Sequence, residues 1–178
     1  IANTLIQNGN ANVNAVNLEG STLLIDAIKR SDGFSAKFLL DHDCDVDLTT
    51  NDTGDSPLHI ICTYSKESSS SDTYREMVEV GKKILSRKNL DINKQNRKGY
   101  SPLHLAIVSG HFDMIEELLK YSGINLNLKT TDGKCALLLA LLSPQFLDFS
   151  IAKRLIENGA ETNSADDNSD NILQFLIK

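Results

Sequence analysis

Four glycines punctuate the chain at a near-constant interval. Gly20, Gly54, Gly99 and Gly133 are separated by 34, 45 and 34 residues, and each stands two residues ahead of the same kind of position. The clearest copy covers residues 96–127, NRKGYSPLHLAIVSGHFDMIEELLKYSGINLN. Gly99 suits a turn with positive φ, which glycine alone adopts cheaply. Ser101 and Pro102 read as a helix start, the serine oxygen accepting an orphan amide and proline preset for the first helical position. Leu103, Leu105, Ala106 and Ile107 are expected to form the apolar face of a short helix. Gly110-His111 breaks it. Ile115, Leu118 and Leu119 stand at i, i+3 and i+4, the stripe of a second helix. Gly123 is expected just past its end, in the left-handed position that closes many helices. Ile124 and Leu126 then lead, extended, to the next turn.

Two helices this short cannot bury their apolar faces alone, whereas stacked copies can. The flanking segments carry the same anchors in degraded form. Residues 1–16 read as the tail of a preceding unit, with Leu5-Ile6 and Gly9. Residues 17–50 form a full copy, with Gly20, Thr22 as N-cap, and Leu23, Leu24, Ala27 and Ile28 as first-helix face. Phe38, Leu39 and Leu40 belong to its second helix. Residues 51–95 form the next copy, with Gly54, Ser56-Pro57-Leu58-His59 and Ile84-Leu85. The surplus of this unit falls near residues 66–72, a polar serine run read as a flexible loop. Beyond it, Met77, Val80, Ile84 and Leu85 predict an unusually long helix over residues 73–87. Residues 130–165 form a further unit, with Cys135-Ala136-Leu137-Leu138 at the helix start and extra residues around 144–149. Residues 166–178 open a last partial unit. The fold expected is all-α: a single solenoid domain of stacked helix-turn-helix units.

Composition narrows the function class. The net charge of −6 lacks the basic footprint that nonspecific nucleic-acid binding needs. The longest apolar run, residues 135–142, is too short to cross a bilayer. Cys44, Cys62 and Cys135 are odd in number and lack CxxC spacing, which suits buried thiols in a reducing compartment. The chain begins at Ile1 and is read as a segment of something longer.

The string Gly99-Tyr100-Ser101-Pro102-Leu103-His104-Leu105-Ala106, then Gly110-His111, then Leu118-Leu119, closely resembles the ankyrin repeat. The resemblance covers essentially the whole chain. It implies that the turns between units project as fingers and that the first helices line a concave side. It also implies a protein-binding scaffold that is not an enzyme. His59 and His104, in the SPLH position, would tie neighbouring loops together, and His111 matches a family position too. Leu23 and Ile25 replace the family's proline and histidine in the first full copy.

Along the expected fingers, charge is uneven. Glu19, Asp52 and Asp55 mark the first two; Lys94, Arg97, Lys98 and Tyr100 the third; Lys129 and Lys134 the fourth; Asp166, Asp167 and Asp170 the last. A basic centre carrying an aromatic suits an acidic peptide or the acidic patch of a folded partner. Solvation alone is the alternative for these charges. Ser69, within the run Ser68–Ser71 ahead of Asp72, is a candidate phosphorylation site. Asn93 and Asn127 each lie eight residues past a leucine and resemble ankyrin asparagines modified by a cytosolic asparaginyl hydroxylase. Their other reading is structural, holding the turn by backbone hydrogen bonds.

No catalytic arrangement is expected, because no nucleophile–base pair and no phosphate-binding glycine loop stands out. The run His42-Asp43-Cys44-Asp45 looks superficially like a metal cluster, but zinc takes about four converging ligands. Neither metal nor cofactor is expected.

A narrower likeness is to the rabankyrin-like family of early-endosomal Rab effectors that join BTB, ankyrin and FYVE modules. Thr22–Ile28, Phe38-Leu39-Leu40 with Cys44-Asp45-Val46-Asp47, the expanded second unit and Ile124–Lys129 carry it. It implies a trafficking scaffold in the cytoplasm, at the cytosolic face of endosomes. The alternative is an architectural spacer between flanking domains.

Overall fold

The computed structural model describes residues 12–65, 70–145 and 149–163. Among these residues the chain forms eight α-helices and no strand; a lone bridge joins Val16 to Thr22. The helices are α1 (Leu23–Lys29), α2 (Gly33–Asp41), α3 (Pro57–Ile61), α4 (Ser71–Leu85), α5 (Pro102–Val108), α6 (Phe112–Leu119), α7 (Ala136–Leu142) and α8 (Ser150–Glu157).

The starts of the first helices follow from side-chain chemistry. Thr22 accepts the Ile25 amide at 3.2 Å. Ser56 and Ser101 are N-caps followed by proline at the first helical position. In both, the histidine three residues on returns a bond: His59 Nδ1 accepts the Ser56 amide at 3.2 Å, and His104 Nδ1 accepts the Ser101 amide at 3.1 Å. This is a capping box with imidazole in the role usually taken by Glu or Gln. Cys135 caps α7 without a side-chain hydrogen bond, as a weakly bonding thiol would.

The helices pack in two layers. Helix α1 lies against α3, α3 against α5 and α5 against α7; in the other layer α2 lies against α4 and α4 against α6. Each first helix also packs on its own second helix. One continuous core runs between the layers, from Leu24 and Ile28 through Leu58, Met77, Ile107, Met114 and Leu118 to Leu137 and Leu155. Gly81, midway along α4, lets Met114 and Ile61 approach: a Cβ there would lie 2.8 Å from Met114 Sδ.

Helix ends are tied to the following unit. The Tyr64 hydroxyl donates to Ile28 O near the end of α1, the Arg87 guanidinium to Leu40 O near the end of α2, and the Tyr121 hydroxyl to Leu85 O at the end of α4. The carbonyls of Leu40 and Leu85, left unpaired at their helix ends, are thus satisfied by the next repeat, while Ile28 O also accepts the Ser31 amide of its own unit at 2.8 Å.

Gly20, Gly54, Gly99 and Gly133 occupy equivalent corners, with φ of 73°, 73°, 72° and 78°. Each turn is closed at its base by one backbone bond: Asn17 N to Ser21 O, Thr50 N to Asp55 O, Asn96 N to Tyr100 O and Thr130 N to Lys134 O, at 2.9–3.0 Å.

Several local expectations are corrected. Helix α4 spans Ser71–Leu85 rather than residues 73–87. Ser70 caps it, accepting the Thr73 amide at 3.2 Å, so Ser71 and Asp72 are helical rather than part of the polar loop. The buried Tyr74 ring holds this extra turn, its hydroxyl 2.9 Å from His111 Nδ1 in the next unit. Gly123 is not left-handed, and Cβ space there is open. Leu23 is 49% exposed, and Leu105 is only partly buried, so neither lies squarely on the core face. A seven-residue helix between two neighbours turns one narrow stripe inward, here Leu103, Ala106 and Ile107. Residues 1–11, 66–69 and 164–178, with Ser69, Asp166, Asp167 and Asp170, lie outside the described residues.

Candidate protein-interaction surface

The third finger is built from Asn96. Its Oδ1 accepts the Lys98 and Tyr100 amides, both at 3.0 Å, and its Nδ2 donates to Asp55 Oδ1 at 2.7 Å. Neighbouring fingers hold the tip from both sides: Arg97 N donates to Thr53 O at 2.9 Å, and Thr131 N donates to Lys98 O at 3.0 Å. The backbone of Arg97 and Lys98 is therefore pinned while both side chains project into solvent. Among the described residues neither head group has an ion-pair partner.

The other members of the expected patch are differently placed. Lys94 is half-buried, and its ammonium donates to Asp47 O at 2.6 Å. Lys134 pairs with Asp132 at 2.7 Å on its own finger. Lys129 is exposed, and its carbonyl accepts from Gln95 Nε2 at 2.8 Å. Tyr100 is half-buried against the core, its ring edge-on to His104 at 6.2 Å. Arg97 and Lys98 thus form the projecting cationic point, with Tyr100 at its base.

The histidines are structural. His59 Nε2 lies 3.0 Å from Tyr100 O, and His104 Nε2 lies 3.1 Å from Leu128 O. Since each Nδ1 accepts a serine amide, each Nε2 carries the proton and donates to the next unit's carbonyl. Burial lowers both pKa values, that of His104 to about 4, so both rings are neutral at pH 7. His111 caps α6, accepting the Met114 amide at 3.4 Å. His42 Nδ1 donates to Phe38 O at 2.8 Å, and the ring lies over Phe38. Among the described residues no group of His, Cys, Asp and Glu is arranged to hold a metal. Burial pushes the Cys44 thiol up to about 11, against nucleophilic use.

Asn93 and Asn127 belong to a ladder between units. Asn14 Oδ1 accepts the Asp45 amide at 2.7 Å, Asn93 Oδ1 the Asn125 amide at 2.8 Å, and Asn127 Oδ1 the Glu161 amide at 2.9 Å. Any enzyme acting on these side chains must first break that rung.

The outward row of the first helices has no signal in the sequence. Val108 and Leu142 are 47% and 43% exposed. Periodicity counts every aliphatic residue near a core stripe as core, so nothing local marks these two as outward.

Ankyrin-repeat family models match residues 71–166 and residues 5–61. The chain belongs to the ankyrin-repeat family. This array is 31% identical to Rabankyrin-5 of Homo sapiens over 193 residues, covering 97% of the chain and 16% of that protein. Against Rabankyrin-5 of Mus musculus it is 31% identical over 186 residues, covering 93% of the chain and 16% of that protein. The narrower likeness to rabankyrin-like proteins thus extends along the array, although the chain spans about one sixth of those relatives' length. Among solved structures, the ankyrin repeat protein EF0377 superposes with a TM-score of 0.81 at 26% identity, covering 98% of this chain and 83% of that one. Ankyrin repeats generally mediate protein–protein interaction. No helix among the described residues is long and apolar enough to cross a membrane.

Proposed function

We propose that this ankyrin array is a non-catalytic scaffold that grips an acidic peptide, or the acidic patch of a folded partner, through its central fingers. Arg97 and Lys98 make the primary contact, Tyr100 lies at its base, and Lys129, Lys94 and Lys134 extend the positive field. The observation carrying this reading is the rigid finger tip. Two exposed cations ride on backbone held between Thr53 O and Thr131 N, so little backbone ordering entropy is lost when a carboxylate docks, and only the two side chains have to be ordered. The likeness to Rabankyrin-5 supports a setting in endosomal trafficking, on the cytosolic face of endosomes.

Affinity purification with the wild type and the double variant R97E/K98E tests the proposal. Loss of a defined set of partners, with thermal unfolding unchanged, is expected. Undiminished recovery of every partner removes the finger patch from consideration.

A second reading is favoured by the bonds between units. Tyr64, Arg87 and Tyr121 each cap a carbonyl of the preceding unit, which stiffens the stack as a spacer requires. Under that reading finger variants are silent, while changing the number of repeats impairs function.

A further inference from the structure

Helix α4 ends in a charge pattern that belongs to neither the fingers nor the first-helix layer. Ser86 is its C-cap, and cations bracket it: Lys82 and Lys83 stand four and three residues before, Arg87 and Lys88 one and two residues after. Serine kinases that select basic substrates read charge at such offsets. Ser86 and Lys88 are exposed, and residues 86–89 lie beyond the helix, in its exit turn. The Ser86 hydroxyl donates only to Lys83 O of its own helix end, at 2.7 Å. Lys82 pairs with Glu79 and Lys83 with Asp41 at the surface, where such pairs are weak enough for an acidic kinase cleft to replace.

The neighbours of Ser86 give a phosphate there a consequence. Arg87 clamps the first full unit to the second: its guanidinium donates to Leu40 O and pairs with Asp43 at 3.0 Å, both at the exit of α2. A groove of about 480 Å³ runs between the two helix exits, lined by Asp45 and Asp47 on one side and by Ser86, Arg87 and Lys88 on the other. It has room for a phosphoryl group beside Arg87.

We infer that Ser86 is a phosphorylation site, and that its phosphate draws Arg87 off the exit of α2 and loosens the junction between the first and second full units. In the modifying step Ser86 Oγ attacks the terminal phosphorus of ATP on a basophilic kinase. The new O–P bond replaces the bridge to ADP, and the hydroxyl proton passes to the base of the kinase. The consequences then act in one direction. The hydroxyl no longer donates to Lys83 O. A charge of about −1.5 to −2 stands at the carboxyl end of α4, the end that disfavours anions. The phosphoryl oxygens, as charge-assisted acceptors, compete for the Arg87 guanidinium against a neutral carbonyl and against Asp43, whose side chain is 95% exposed. Asp45 and Asp47 repel the phosphate from across the groove, which keeps it from bridging the two units in place of Arg87. None of this depends on the finger-tip reading.

Treatment of the intact chain with protein kinase C and Mg-ATP, followed by mass spectrometry, tests the site. Phosphate on Ser86 of the wild type, absent from S86A, is expected; a chain left unmodified at Ser86 overturns the inference. Chain with phosphoserine genetically encoded at position 86 tests the consequence. Amide exchange at the ends of α2 and α4 should rise about tenfold, as for the loss of one hydrogen bond to a charged group, with α7 and α8 unaffected. Unchanged or slower exchange at those ends overturns the unclamping. In R87Q the clamp is already gone, so the phosphate should add little; full loosening on that background overturns the role of Arg87. A phosphorus NMR titration of the phosphorylated wild-type chain needs no variant. Pairing with Arg87 should pull the second phosphate ionisation below its ordinary value of about 6, and a value at or above 6 overturns the pairing.

Discussion

Asn93 binds the following unit with both ends of its amide: Oδ1 accepts the Asn125 backbone amide at 2.8 Å, and Nδ2 donates to Gly123 O at 2.8 Å. One rung earlier stands Asp47. Its Oδ2 accepts the Asp91 amide at a longer 3.4 Å, while its Oδ1 is buried with no hydrogen-bond partner. A carboxylate cannot donate, so the second bond of the rung is missing at this position. Asp47→Asn supplies that donor. It is expected to stabilise the fold by about 1 kcal/mol, the usual net worth of a hydrogen bond, read as a higher urea midpoint at unchanged m-value. A lower midpoint would show that the charge itself is needed.

His104 makes stability depend on pH. Its folded pKa of about 4 lies below the ordinary 6.5, because burial disfavours the imidazolium. Protons therefore bind the unfolded chain more readily. The stability this group contributes is complete above pH 6.5 and is lost as pH falls from 6.5 through 4. By linkage the loss at pH 5 is about 2 kcal/mol. Urea unfolding at pH 7 and pH 5 measures it, and His104→Asn should flatten the slope between them.

Two glycines of similar appearance in the sequence should respond oppositely to alanine. At Gly99 a Cβ would lie 2.7 Å from Thr131 N and 2.9 Å from Thr130 Cα, both backbone atoms, at φ of 72°. Gly99→Ala is expected to cost about 2 kcal/mol or more. At Gly123 nothing lies within 4 Å and φ is not left-handed. Gly123→Ala should stay within about 0.5 kcal/mol of wild type. Thermal melts of the two variants side by side decide it.

Tyr121→Phe keeps the ring and deletes only the hydroxyl that donates to Leu85 O. The loss should be about 1 kcal/mol. Amide exchange should rise near the ends of both α4 and α6, since the bond joins two units. A change confined to α6 would mean that it does not couple them.

The corners and caps were legible in the chain because their causes are local. Positive φ selects glycine at 20, 54, 99 and 133, a hydroxyl beside a helix start captures an amide, and i, i+3, i+4 spacing marks the second-helix stripe. The likeness of Ser56-Pro57-Leu58-His59 to Ser101-Pro102-Leu103-His104 even carried the links from His59 to Tyr100 and from His104 to Leu128. The αL reading at Gly123 failed where that locality failed. The α6 exit is one residue longer than the α2 exit, where Asp43 takes the left-handed place, so no left-handed residue is needed.

Which cations project and which aliphatic residues face outward was decided only in three dimensions. Lys94 is tied to Asp47, 47 residues away, and Arg87 to Asp43, 44 residues away. No window on the chain holds both partners, so Lys94 and Arg97 look alike until the units stack. A helix of seven residues has too few turns to declare its own buried face. Neighbours on either side turn Ala106 and Ile107 inward and leave Val108 in water. Conformation set within a few residues could be read directly, whereas the chemistry of the exposed surface emerged from partners far apart in the chain.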